Sequence, residues 1–179
     1  MEIIKTSIEG LIVIKPRIFE DERGYFLESF KESFIQDNFS DTSFIQDNES
    51  KSIFGVLRGL HFQVQPFEQA KLVRVVTGEV LDVAVDLRKN SPTYGKWESI
   101  ILSEANKKQF FIPRGFAHGF AVLSKEAIIN YKVDNIYSKE HERIIAYDDE
   151  ILNIDWSVDR RDIKQSFKDQ HSSMKFSEL

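Results

Sequence analysis

Leu72-Val73-Arg74-Val75-Val76-Thr77-Gly78-Glu79-Val80-Leu81-Asp82-Val83-Ala84-Val85-Asp86-Leu87 is the stretch whose reading decides the fold. Its β-branched residues predict a strand, a tight turn at Thr77-Gly78 and a second strand. In the second strand Leu81, Val83, Val85 and Leu87 share one face, and Val80, Asp82, Ala84 and Asp86 share the other. The first face is core. The second sets acids among small residues, a pattern that suits a barrel lumen or a solvated surface. Downstream, Asn90-Ser91-Pro92-Thr93-Tyr94-Gly95 is a turn cluster. Residues 97–102, 109–112, 119–123 and 127–133 are further strands at the short spacing of sandwiches and barrels. Upstream, an early strand over 11–15 ends at Pro16. Helical pattern is confined to one or two turns within 28–39 and to the tail after Asp159. The six residues SFIQDN occur at 33–38 and again at 43–48, too few copies for a solenoid. These features predict an all-β chain, an antiparallel sandwich or barrel with a few short helices, as one domain over 1–179.

Composition narrows the function. The chain has 179 residues, 41% of them hydrophobic, which is enough for a sizeable core and excludes disorder as the main state. With 24 Lys and Arg against 29 Asp and Glu the net charge is −5, so no global cationic field exists to bind nucleic acid or an acidic membrane. A local basic pocket is still compatible with that balance. The absence of cysteine removes disulfides, thiolate nucleophiles, iron–sulfur clusters and cysteine zinc sites, and fits a reducing compartment. No apolar run reaches the roughly 20 residues of a membrane helix, and the first ten residues lack signal-peptide anatomy. A soluble cytoplasmic protein is expected.

Two clusters carry the chemistry. One is Gly55-Val56-Leu57-Arg58-Gly59-Leu60-His61-Phe62-Gln63, followed by Ala70-Lys71-Leu72; the other is Ile112-Pro113-Arg114-Gly115-Phe116-Ala117-His118-Gly119-Phe120. Pro-x-Gly-x-x-His in the second matches a sequence motif of the cupins, small jelly-roll barrels that turn a histidine into the lumen. The other cupin motif supplies His-x-His and then a glutamate to a metal. Here Gln63 stands where the second histidine would be, and Glu68 falls one place beyond the usual spacing. A transition metal needs three or four matched ligands, so no metal and no other cofactor is expected. Histidines in a lumen without a metal set suit proton chemistry.

His61 lies near Arg58, with Lys71 one strand later, and a buried cation favours the neutral imidazole that can act as a base. His118 is the second candidate. His141 and His171 lie in charged segments and are expected to be solvated. The base needs an orienting carboxylate on its other nitrogen, and Asp82, Asp86 and Asp169 are all candidates. A tyrosine could return a proton from the opposite side, with Tyr131, Tyr147, Tyr137 and Tyr94 available.

Taken together, Arg23-Gly24-Tyr25-Phe26-Leu27-Glu28, Gln46-Asp47-Asn48, Leu57-Arg58-Gly59-Leu60-His61-Phe62-Gln63, Val83-Ala84-Val85-Asp86-Leu87-Arg88, Ser91-Pro92-Thr93-Tyr94-Gly95 and 112–120 resemble, in order, the dTDP-4-dehydrorhamnose 3,5-epimerases. The resemblance runs from about Phe19 to Asp169 and implies a metal-free cupin-type jelly roll that forms homodimers. It implies the substrate dTDP-4-dehydro-6-deoxy-D-glucose, a dTDP-linked 4-keto-6-deoxy sugar, in dTDP-L-rhamnose biosynthesis. By motif, His61 becomes the base, Asp169 its orienting partner, Tyr131 the acid of the opposite face, and Lys71 the cation that stabilises the enolate. Arg23, Phe26, Glu28, Arg58, Lys71, His118, Glu142 and Lys168 would hold the nucleotide sugar, with Gln46, Asp47 and Asn48 near the base and Tyr137 stacking on thymine. The second SFIQDN copy falls at the family position, and the first then reads as helix. The chain departs from the family pattern at Arg114, at Ser157 after Trp156, and over 65–69.

The chemistry explains these residue types. Carbons 3 and 5 both flank the carbon-4 ketone, so loss of either proton gives an enolate on the same oxygen. An imidazole removes the proton, a cation faces the oxyanion, and a phenol protonates the other face. The motifs do not separate a double epimerase from a relative that inverts carbon 3 or carbon 5 alone. A non-catalytic sugar-nucleotide-binding or metal-binding cupin would have lost the base, the acid or the cation, yet His61, Tyr131 and Lys71 are all present. A dinucleotide-dependent redox enzyme is disfavoured because no Gly-x-Gly-x-x-Gly follows a strand.

Overall fold

Thr77-Gly78 does not close a hairpin. In the computed structural model, which describes residues 1–39 and 41–179, it carries the chain from one sheet to another. A six-stranded sheet runs in the order β1 (Glu2–Lys5), β2 (Ile12–Lys15), β10 (Gln109–Ile112), β7 (Lys71–Thr77), β12 (Glu126–Val133), β5 (Gln46–Ile53). A five-stranded sheet runs β13 (Glu142–Ile144), β6 (Leu57–Gln63), β11 (Phe116–Val122), β8 (Glu79–Asp86), β9 (Trp97–Ser103). The ladders are antiparallel. β3 (Ile18–Asp21) and β4 (Gly24–Leu27) form a separate two-stranded ribbon. The helices α1 (Glu32–Asn38) and α2 (Phe167–His171) and a 3-10 turn at Phe176–Glu178 complete the chain. This is the cupin-type jelly roll. Among the described residues no helix is long and apolar enough to cross a membrane.

The strands β7 and β8 therefore face each other across the sandwich instead of pairing, which corrects the hairpin that their sequence suggests. Gly78 makes the corner possible: it has φ +78°, and a Cβ there would lie 2.0 Å from the Glu126 carbonyl oxygen. Val73 and Val75 of β7 meet Val80 and Ala84 of β8 in one core with Val13, Leu102, Phe110, Phe120 and Ile129. The other face of β8, with Leu81, Val83 and Val85, packs under Ile145, Leu152, Trp156 and Phe176. Both faces are covered, so β8 and β11 read as nearly continuous apolar runs, and the acids Asp82 and Asp86 are 0% exposed. The acidic face looks into the lumen and not into solvent.

On the back of the six-stranded sheet, α1 buries Ile35 against Ile12, Ile14, Leu72 and Phe111, with Phe30, Phe34, Phe39 and Phe44 around it. The first SFIQDN copy is helical there, whereas the second runs into β5 at Gln46. Strand pairing decides between the two, because β5 is aligned along β12 from Val133↔Gln46 to Glu126↔Ile53.

Asp86 ties the end of β8 to the turn that follows it. Burial pushes its carboxyl up, but hydrogen bonds from Arg88, Ser91 and Thr93 outweigh it and hold the group well below the usual carboxylate range. A carboxyl lowered in the folded state adds stability above its unfolded value, and the contribution fades as pH falls. Asp86→Asn should lower unfolding free energy by about 3 kcal/mol at pH 7. Denaturant unfolding should show the gap from wild type narrowing below about pH 4; an equal gap at pH 7 and pH 3 would contradict this role.

Candidate active site

The site begins with two glycines. Gly59, at φ +121°, sits so close to β11 that a Cβ would lie 2.6 Å from the Gly119 Cα and 2.7 Å from the His118 carbonyl oxygen. This approach lets β6 and β11 pair with His61 directly opposite His118, and the register shifts just beyond, before Phe120. The residues of Arg58-Gly59-Leu60-His61 and His118-Gly119 thus serve one local geometry, which turns both imidazoles toward the lumen mouth.

His61 is held at both nitrogens. Nε2 lies 2.7 Å from Asp169 Oδ1, and Nδ1 lies 3.0 Å from Glu142 Oε1. Asp169 is fixed in turn: Ser166 caps α2 by accepting from the Asp169 backbone N–H, and its hydroxyl donates to Asp169 Oδ2 at 2.9 Å. Burial pushes the Asp169 carboxyl up, but the bond to His61, Ser166 and the nearby Lys168 charge bring it below its usual value. Glu142 is held by surface partners, since Lys168 and the Tyr137 hydroxyl both donate to its Oε2. Desolvation opposes ionisation of Glu142, yet Lys168, Tyr137 and His61 keep its carboxyl low. Accepting the hydrogen bond from the Tyr137 phenol, Glu142 pushes that phenol up.

The opposite sheet supplies the other groups. Lys71 opens β7 and Tyr131 lies on β12, paired to Val73. Part of Lys71 still faces the cavity, yet enough protein surrounds its ammonium that desolvation pulls it down to about 8, against the charges of Asp82 and Glu142. Burial also pushes the Tyr131 phenol up, only partly offset by Arg58, so it is a proton carrier at neutral pH. His118 is pulled down by burial, against its bond from Nε2 to Asp82 Oδ1 at 2.9 Å. His61, His118, Lys71, Tyr131, Arg58, Tyr137 and Glu142 line one cavity of about 250 Å³, with Phe62, Phe116, Phe120 and Ile129 as apolar walls. Among the described residues no set of three His, Asp or Glu side chains is arranged to hold a metal.

The three candidate carboxylates are thus distributed: Asp169 on His61, Asp82 on His118, Asp86 on Arg88. Lys168 reaches the mouth through Glu142. Gln46, Asp47 and Asn48 stand on β5 beside Lys132 and Tyr131, where Asp47 pairs with Lys132 at 2.6 Å and the Gln46 amide donates to Asn48. Arg23, Phe26 and Glu28 are outside the cavity lining: Arg23 pairs with Asp21, and Phe26 is 64% exposed on the β3–β4 ribbon. His141 is partly buried, contrary to a solvated expectation, with Nδ1 2.8 Å from the Ser138 hydroxyl and its ring against Phe67. His171 is exposed and stacks on Phe167.

Two contributors escaped the sequence reading. Ser166 was legible as the first residue of a Ser-x-x-Asp cap. Gln63 takes the place of a metal-binding histidine and instead braces the loop before β13, donating to the Phe67 and Ile136 carbonyls and accepting from the Ser138 N–H.

A cupin-type barrel with a histidine–carboxylate pair on one sheet, and a buried lysine and a tyrosine on the other, defines an enzyme of the acid–base class. More particularly, the chain belongs to the dTDP-4-dehydrorhamnose 3,5-epimerase family, whose profile matches residues 5–176. It is 54% identical over 159 residues to the dTDP-4-dehydrorhamnose 3,5-epimerase of Methanothermobacter thermautotrophicus, covering 89% of this chain and 85% of that one. A crystal structure of the enzyme of that name from Elizabethkingia anophelis superposes with a TM-score of 0.94 at 48% identity, over 99% of this chain and 97% of that one. The Legionella pneumophila dTDP-6-deoxy-D-glucose-3,5-epimerase, in complex with dTDP-4-keto-L-rhamnose, superposes with a TM-score of 0.92 at 48% identity, over 97% of this chain and 92% of that one.

Proposed function

We propose that this protein inverts carbons 3 and 5 of dTDP-4-dehydro-6-deoxy-D-glucose, giving dTDP-4-dehydro-L-rhamnose in dTDP-L-rhamnose biosynthesis, and that it does so in the cytoplasm. The observation that carries the reading is that His61 and Tyr131 enter one cavity from opposite sheets, with Lys71 beside them. Inversion needs a base on one face of the sugar and an acid on the other, and no electron is gained or lost, so no redox partner is required.

For a nitrogen of His61 to accept a proton, it must first give up its carboxylate. Asp169 is buried and doubly tied to Ser166, whereas Glu142 depends on Lys168 and Tyr137 at the mouth. Substrate therefore draws Glu142 away, the proton held between Glu142 and Nδ1 passes to solvent, and the bare Nδ1 becomes the base atom while Asp169 keeps the ring oriented. The C–H bond next to the ketone breaks, its electron pair moves onto the ketone oxygen, and the proton goes to Nδ1. The Lys71 ammonium stabilises the enolate oxygen, a contribution typically worth about 10²–10³ in rate. The Tyr131 phenol protonates the carbon from the other face, and exchange with solvent resets both groups for the second inversion.

A cavity of about 250 Å³ suits a sugar ring and not a whole nucleotide. The diphosphate and thymidine then lie over the mouth, within reach of Arg58, Lys168, Tyr137, His118 and the released Glu142, with Gln46, Asp47 and Asn48 toward the base. Arg23, Phe26 and Glu28 reach such a ligand if the protein is a homodimer whose β3–β4 ribbon covers the partner's mouth. The exposure of Phe19, Tyr25 and Phe26 on that ribbon supports this.

Incubation with the 4-keto sugar nucleotide in heavy water, with a chelator present, should introduce deuterium at both carbon 3 and carbon 5. His61→Asn should lower that exchange by at least about 10³-fold and leave dTDP affinity within a few-fold. Label at neither carbon in the wild type, or wild-type exchange in the variant, would overturn the assignment. For the dimer, an arm variant (Arg23→Ala with Phe26→Ala) mixed with His61→Asn should recover activity that neither shows alone. Mixtures no more active than their parts would show that the arm serves its own chain.

A further inference from the structure

Asp82 is a carboxylate on β8 that none of these steps uses. It is 0% exposed, its Oδ1 accepts from His118 Nε2 at 2.9 Å, and its Oδ2 has no hydrogen-bond partner among the described residues. A buried carboxylate oxygen left unpaired costs stability, and Asp86, the other acid of this face, has partners on both oxygens whereas Asp82 does not. The geometry offers a reason for Asp82. With Nε2–H turned to Asp82, a neutral His118 presents the bare Nδ1 to the cavity as an acceptor, suited to a sugar hydroxyl. Lys71, by contrast, feels Asp82 through its charge and not through a hydrogen bond.

We propose that Asp82 is a positioning residue of the reaction, orienting His118 through Oδ1 while its buried charge stands behind the Lys71 ammonium that meets the enolate. The inference rests on the epimerase reading of the cavity. Its electrostatic part can be tested without substrate. The charged and titratable groups around Lys71 are Asp82 on β8, Glu142 on β13, His118 on β11 and His61 on β6, with Tyr131 on the adjacent β12 and Arg58 on β6 beyond it. Of these, Asp82 favours the charged lysine most, ahead of Glu142, while desolvation works against both.

The test is an NMR titration of protein labelled at lysine Cε, with the Lys71 signal identified by its loss in Lys71→Arg. Wild-type Lys71 should titrate near 8. In Asp82→Asn its midpoint should fall by about one to two pH units, and the alkaline limb of kcat/KM for epimerisation should move with it. His118→Gln keeps a donor for Asp82 and leaves the carboxylate in place; its Lys71 midpoint should stay at the wild-type value even as turnover falls. An unmoved midpoint in Asp82→Asn overturns the proposal, and so does a shift in His118→Gln as large as that expected for Asp82→Asn. The second arm decides the matter if Asp82→Asn does not fold. Absence of exchange by the wild type in heavy water would instead refute the epimerase reading and leave the lysine titration standing by itself.

Discussion

The hydrogen bond between His61 Nε2 and Asp169 Oδ1 joins residues 108 positions apart and closes the C-terminal tail onto the barrel. It commits Nε2 to the tail and leaves Nδ1 facing Glu142. Everything else in the site is arranged relative to that ring. Ser166 anchors the carboxylate, the Gly59–Gly119 approach sets the strand that bears the imidazole, and Glu142 covers the remaining nitrogen. If the ring were free to turn, a base on one face of a sugar and an acid on the other would lose their fixed relation, and inversion would lose its stereochemical logic.

The second constraint is electrostatic. A chain of net charge −5 nonetheless converges cations at one mouth, with Arg58 and Lys71 on the cavity and Lys168 joined to Glu142 beside it. Burial weakens the ammonium of Lys71 in the absence of substrate, and the buried acid of β8 offsets part of that loss. The same desolvation keeps Tyr131 protonated and His118 neutral. One low-dielectric lumen thus favours the neutral form of all three groups, pulling the lysine and the imidazole down and pushing the phenol up.

Much of this was legible in the sequence, and what was not has physical reasons. The strands at 97–102, 109–112 and 127–133 were visible because β-branched and aromatic residues cluster between turn signals, and they match the observed elements to within a residue. β5 was not, because Gln-Asp-Asn-Glu-Ser-Lys-Ser-Ile is polar and owes its form to pairing with β12. The Thr77-Gly78 turn reads as a hairpin locally; only the two-sided burial of β8 reveals it as a corner between sheets. Spacing could not assign Asp82 and Asp169 to their partners, since strand pairing sets the first contact and the second spans 108 positions of chain. The resemblance to the epimerases named His61, Asp169, Lys71 and Tyr131. It could not show that Glu142 lies on Nδ1 of His61.

That last feature offers the most direct measurement. A crystal structure of the His61-containing protein with a bound dTDP-4-keto-6-deoxy sugar or a close unreactive analogue should retain the His61–Asp169 bond and show Glu142 withdrawn from Nδ1. Nδ1 should then lie about 3–3.5 Å from carbon 3 or carbon 5, with the Tyr131 hydroxyl on the opposite face of the ring. A complex in which Glu142 still caps Nδ1, or in which the sugar approaches from the Asp169 side, would contradict the account.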